Sequence, residues 1–414
     1  MKRLIALLLA LCLGLALTAC GKKDPLPQEG EASPFVTDSP DQTAHRTEDP
    51  RVGMWISYLE WINTDFSSQE AFTAQFEEMC SNSAAMGVNT LYVQVRPFGD
   101  AFYKSSIYPW SSYITGTQGQ DPGYDPLAIM VETAHAAGLE IEAWINPYRI
   151  RLNSSYPGCE LSSDNPAVQN PQRVKAVGEG LYYDPALPEI RQMVTDGVVE
   201  IVENYEVDGI HLDDYFYPTT DPSFDQEQYQ ASSTGLSLED WRRENVSALV
   251  AQLYAAVKAA DPDCRFGISP QGNPDNNYQG QYSDVELWMS TEGYLDYVLP
   301  QVYWGFGYQL SGGSTRFAFE NITAEWMAMP RREGVELMFG LGAYRIGDGD
   351  GGANADSVSQ WNTGHNLADQ ADLVLEEGAD GYSLYRYDSL ARNGAWTQLA
   401  QQEVQALAQL AGKA

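Results

Sequence analysis

Asp213 and Asp214 stand side by side in VDGIHLDDYFYP, residues 207–218, after an apolar run that reads as a β-strand. A carboxylate in a sheet interior costs several kcal/mol unless it is paired or hydrogen-bonded. Two at the end of a strand, followed by Tyr215, Phe216 and Tyr217, therefore belong to a wet, aromatic-lined cleft. A carboxyl whose affinity for its proton is raised by burial or by a like charge serves as a general acid, and a second acid stabilises or attacks a positive centre. Together they are the equipment of glycoside hydrolysis. Adjacent residues leave a strand in opposite directions, so a second catalytic group must come from elsewhere or from the substrate. Glu142 is the candidate among the acids, with Asp100 a similar bet for the mouth.

Other strand ends repeat the pattern. RPFGD carries Arg96 and Asp100, and WINPYR carries Trp144, Asn146, Tyr148 and Arg149. SPQGN carries Gln271 and Asn273, and QVYW carries Gln301, Tyr303 and Trp304. Of these, Arg96, Asp100, Trp144, Asn146, Tyr148, Asn273, Gln301, Tyr303 and Trp304 form, with His211 and Tyr215, a candidate sugar-binding set: polar groups to orient hydroxyls, and rings to stack on the apolar faces of sugars. Strands five and six end in neutral amides where a second acid would stand. That favours a route in which a substrate N-acetyl group is the nucleophile.

These ends must be brought to one place. From residue 51 onward, strands near 52–59, 89–97, 140–147, 208–216, 265–272, 296–304, 336–344 and 380–387 alternate with helices near 69–86, 125–137, 187–204, 239–260, 281–292, 316–331, 364–377 and 396–411. Eight βα units predict a (β/α)₈ TIM barrel, with long insertions at 98–124, 148–186 and 217–238 on the carboxyl-terminal face where such barrels build their sites.

The first nineteen residues read as a signal peptide ending in Leu-Thr-Ala before Cys20, the pattern of a lipidated cysteine. This predicts an extracytoplasmic protein anchored to a membrane by lipid at Cys20. Residues 20–50, rich in Pro, Asp, Glu, Ser and Thr, read as a flexible tether, and 51–414 as the barrel. A formal charge of −33 argues against nucleic acid and acidic polymers as partners. Cys80, Cys159 and Cys264 are too widely spaced for a disulfide framework or a zinc site, and the four histidines show no metal-binding spacing. Asp348, Asp350, Asn354 and Asp356 mimic a calcium loop, but Ala353 stands where such a loop needs glycine. No metal or cofactor is expected. Composition leaves the oligomeric state open.

The segments RPFGDAFY, AWINPYR, DGIHLDDYFYP, GISP and PQVYW, in that order, resemble the glycosyl hydrolase-like 10 family across about residues 50–390. The resemblance implies a TIM-type barrel in a bacterial envelope protein acting on peptidoglycan strands stripped of their stem peptides. A weaker similarity joins DGIHLD and QVY to the family 18 chitinases. It implies that Asp213 holds an acetamido group, while Tyr215 occupies the place of the catalytic glutamate, leaving Asp214 or another residue to supply the proton. A glycan-binding protein without turnover and an envelope scaffold are the rival readings.

Overall fold

A computed structural model describes residues 46–47, 49–153, 160–391 and 397–412. The expected signal peptide, Cys20, most of the expected tether and Cys159 lie outside them. Among the described residues no helix is long and apolar enough to cross a membrane.

Eight parallel strands close on themselves. They are β1 (Arg51–Ile56), β2 (Thr90–Arg96), β3 (Glu140–Ile145), β4 (Gly209–Leu212), β5 (Arg265–Ile268), β6 in two pieces (Tyr297–Val298 and Gln301–Val302), β7 (Glu336–Leu341) and β8 (Gly381–Leu384). Each pairs with the next, and β8 pairs with β1 to complete the ring. The intervening helices are α1 (Gln69–Ala85), α2 (Pro126–Ala136), α3 (Pro188–Asn204), α4 (Leu238–Ala260), α5 (Val285–Ser290), α6 (Phe319–Met327), α7 (Asn366–Glu376) and α8 (Thr397–Ala411). Their starts follow local chemistry. Ser68, Asp125 and Ser237 accept the free N–H groups at the first turns of α1, α2 and α4, and Pro126 opens α2 with a preset φ.

Alternation along the strands separates two cores. Ile141, Ala143 and Ile145 of β3 face the helices, in a buried apolar layer shared with Val194 and Val198 of α3 and Leu249 and Leu253 of α4. Each side chain so buried contributes roughly 1.5–3 kcal/mol. The inward faces form a smaller core of Trp55, Tyr92, Trp144, Tyr297, Leu299 and Met338. Glycine on neighbouring strands makes room for them. A Cβ at Gly267 would lie 2.1 Å from the Tyr297 ring, and one at Gly209 would lie 2.6 Å from Glu142 Cδ.

Charge closes the floor. The first residues of alternate strands, Arg51, Glu140, Arg265 and Glu336, form a layer of four. Arg51 pairs with Glu140, and Arg265 meets Glu336 at 2.7 Å. Glu142 lies one layer higher, 3.8 Å from Arg265 and fully buried, and Tyr297 donates to it at 2.5 Å.

Long excursions leave the carboxyl end of the barrel. The one after β3 folds into a small antiparallel sheet of Arg149–Arg151, Val174–Val177 and Gly180–Tyr183. It is tied to the excursion after β2 through Asn165, which donates to Gly99 O at 2.8 Å and Gln118 Oε1 at 3.1 Å. Arg242 of α4 holds the loop after β4 by a buried fork to Asp225.

Candidate active site

Asp213 follows the last residue of β4 and keeps the strand's inward direction, so its carboxyl enters the mouth from below. It is 3% exposed. Asn146 Nδ2 donates to both its oxygens at 2.6 and 2.7 Å, Trp144 Nε1 donates at 3.0 Å, and the Tyr215 amide donates at 3.0 Å. Asn146 is itself oriented. The Tyr58 amide donates to Gln94 Oε1 at 3.0 Å, and Gln94 Nε2 donates to Asn146 Oδ1 at 2.6 Å. Arg149 adds a second donor to that oxygen at 3.2 Å. A run of donors from the end of β1 across β2 and β3 thus fixes which face of the Asn146 amide meets the acid.

Asp214 is half-buried. Gln271 donates to its carboxylate at 2.9 Å, and Gln301 approaches at 3.4 Å while donating to Ser269 O at 2.9 Å. The chain bends past Leu212, so Asp213 meets Asn146 while Asp214 meets Gln271 and Gln301 at the same end of the barrel. Burial, and then the charge of Asp214, push the Asp213 carboxyl up to about 7; burial also raises Asp214, against the amides that favour its charged form. The two titrate as a pair.

Aromatic rings form the walls. Tyr303 stacks on Tyr385 at 5.4 Å and 23°, and Tyr344 meets both edge-on at 5.6 and 6.0 Å. Across the mouth Tyr215, 49% exposed, lies over the Arg149 guanidinium at 4.4 Å, with Phe98 at 4.9 Å from the same group.

His211 lies below the acids inside the barrel and does not reach the cleft. Trp55 Nε1 donates to its Nε2 at 3.1 Å, which leaves Nδ1–H to donate to Tyr297 at 2.7 Å. Burial holds this imidazole down to about 3, so it is neutral.

Among the expected residues, Asp213, Asp214, Trp144, Asn146, Tyr215, Gln301 and Tyr303 come together. The others are placed elsewhere. Glu142 sits four residues before Asn146 on β3, roughly 13 Å lower at the usual strand rise, and belongs to the floor. Burial raises its carboxyl to about 7. Arg96 is turned by an irregularity between Gln94 and Arg96, which sets it level with outward-facing Ile145. Its guanidinium lies over Tyr108 at 4.6 Å, outside the barrel, and Asp100 is buried in the same excursion against Gln118. Tyr148 is fully buried. Asn273 spends its oxygen capping the helix Pro274–Gln279. Trp304 points away from Tyr303 and stacks on Phe317 at 5.0 Å. Reading the sequence missed Gln94, Tyr344 and Tyr385 as members of the mouth. A glutamine inside the apolar run TLYVQVR was the available signal for Gln94. In the loop after β7, Asp350 accepts from the Gly305 amide and Trp361, so its carboxylate serves the loop.

An eight-stranded parallel barrel with two acids at the end of β4, amides beside them and tyrosine walls is the architecture of a glycoside hydrolase domain. The chain belongs to the glycosyl hydrolase-like 10 family, whose model matches residues 52–357. Glycosyl hydrolase YngK of Bacillus subtilis is 36% identical over 337 residues, 75% of this chain and 64% of that protein, so the chain spans less than two thirds of that relative. Glycosyl hydrolase DigH of Escherichia coli K12 is 33% identical over 377 residues, covering 82% of this chain and 83% of that one. The glycoside hydrolase domain of PgaB (BpsB) from Bordetella bronchiseptica shares the fold at a TM-score of 0.58 and 14% identity, covering 86% of this chain and 98% of that one. The catalytic domain of a β-amylase from Paenibacillus polymyxa does so at 0.53 and 14% identity, covering 87% and 99%.

Proposed function

We propose that this protein hydrolyses glycosidic bonds in N-acetylated cell-wall glycan, namely peptidoglycan strands stripped of their stem peptides, while held at the membrane by lipid on Cys20. The observation that carries the proposal is the acid pair: one carboxyl enclosed and fully hydrogen-bonded, its neighbour open to a tyrosine-walled mouth. Like charges crowded together keep a proton to a higher pH than a lone carboxyl would. Asp214, the open member, passes that proton to the glycosidic oxygen as the bond to the anomeric carbon breaks. Gln271 and Gln301 stand where a second acid would be needed, so the nucleophile is the carbonyl oxygen of the substrate's own acetamido group. Water then opens the cyclic intermediate and returns a proton to Asp214. Asp213 remains behind it, held by Asn146 and Trp144, and its closeness keeps the pair from losing both protons, so that one stays available to Asp214.

The test is mass spectrometry of amidase-stripped peptidoglycan after incubation with wild type, Asp213→Asn and Asp214→Asn. Short glycans from wild type, reduced at least a hundredfold by Asp214→Asn, are the expected outcome. Retention of wild type on the strands with no product from it would make the protein a glycan binder.

A further inference from the structure

We propose that Arg345 recognises a carboxylate on the glycan, the one that peptide removal uncovers on the lactyl ether of alternate sugars; this rests on the stripped-glycan reading above. In a chain of net charge −33, an arginine at the mouth without an acid partner is unusual. Arg386, after the next strand, is neutralised by Glu60 and Asp388. Arg149, across the cleft, is spent on Asn146 and the Pro97 carbonyl. Among the described residues Arg345 forms no ion pair; it is half-buried, its guanidinium hydrogen-bonds Tyr344, and its buried Nε has no partner.

Its position fits the role. Arg345 closes the single turn Ala343–Arg345 just beyond β7, on the same face as the acids. Its guanidinium lies 4.8 Å from the Tyr344 ring, and Tyr344 meets Tyr303 at 5.6 Å. A Cβ at Gly342 would lie 3.1 Å from Tyr303 and 3.3 Å from Arg345, so this glycine lets the wall and the cation approach. A sugar resting on the tyrosine wall beside Asp214 would present an acidic substituent towards this guanidinium, whose planar fork suits a carboxylate. The surrounding negative charge would weaken long-range capture of an anion, so recognition has to come from this short-range contact.

The experiment compares amidase-stripped strands with the same strands after carbodiimide coupling to methylamine, which replaces each lactyl carboxylate by a neutral amide. Cleavage and retention on both are measured for wild type, Arg345→Gln and Arg345→Lys. Wild type is expected to favour the free acid by about 10- to 100-fold in kcat/KM, the range of one charge-assisted contact. Arg345→Gln should fall to the methylamide rate on both substrates, which also shows that the variant folds, and Arg345→Lys should recover part of the preference. Equal wild-type cleavage of both substrates overturns the assignment of Arg345 and leaves hydrolysis standing. If neither strand is cleaved, the hydrolase reading falls, and Arg345 is decided by retention: preference for the acid form, lost in Arg345→Gln, upholds it, and equal retention overturns it.

Discussion

Replacing Asp213 by Asn exchanges a buried carboxyl for a neutral amide of the same outline. The carboxyl's ordinary value is 3.8, and in the folded protein burial and Asp214 hold it at about 7. A group raised on folding contributes its full stability below its unfolded value and loses it as pH rises towards the folded one. At about 1.4 kcal/mol per pH unit, ionising Asp213 therefore costs the native state on the order of 4 kcal/mol between pH 4 and pH 8. The substituted amide carries no such cost, but its NH₂ brings two donors where the protonated carboxyl brings one, and Asn146 Nδ2 and Trp144 Nε1 both point at this side chain. One buried donor left without an acceptor costs roughly 1–3 kcal/mol at any pH. Asp213→Asn is thus expected to be less stable than wild type near pH 4 and more stable near pH 8, with the two curves crossing between. Urea unfolding followed by tryptophan fluorescence at unit pH steps reads this directly. Parallel curves from pH 4 to pH 8 would refute the claim that burial and a like charge hold this carboxyl protonated.

Further outcomes follow from the same geometry. If the pair must carry a proton to act, kcat/KM on stripped glycan should fall about tenfold per pH unit above about pH 7, the value to which Asp213 is raised; a flat profile to pH 9 would exclude it. Gln94→Met removes the buried donor that orients Asn146. Activity should drop about tenfold or more with little change in KM, and an unchanged kcat would break the proposed run of donors. Glu142→Gln, on the barrel floor, should shift stability by a few kcal/mol and leave kcat within about threefold, whereas a folded, inactive variant would return Glu142 to the catalytic set. Tyr303→Ala removes the ring stacked on Tyr385, and KM should rise about tenfold, as measured by initial rates on defined oligosaccharides.

Much was determined by the sequence by itself. Periodicity marked all eight strands and helices to within a few residues of where they lie, because each barrel unit must bury its strand against its own helix and that pattern is local. The acid pair was equally legible, since two carboxylates at the end of an apolar strand have few reasons to be there. The motifs named the family, and the family model matches the chain over residues 52–357. Which strand-end residues share the cleft was a tertiary matter. A one-residue irregularity in β2 sends Arg96 outward, and a helix start claims Asn273. Alternation turns Trp304 away from Tyr303, and Glu142 lies too far down its strand to meet the acids. In each case the residue type fitted the expected role, and direction and depth decided against it. Gln94, Tyr385 and Arg345 join the mouth for the converse reason: closing the barrel brings β1, β2, β7 and β8 around the acids of β4, and only closure sets distant strand ends side by side.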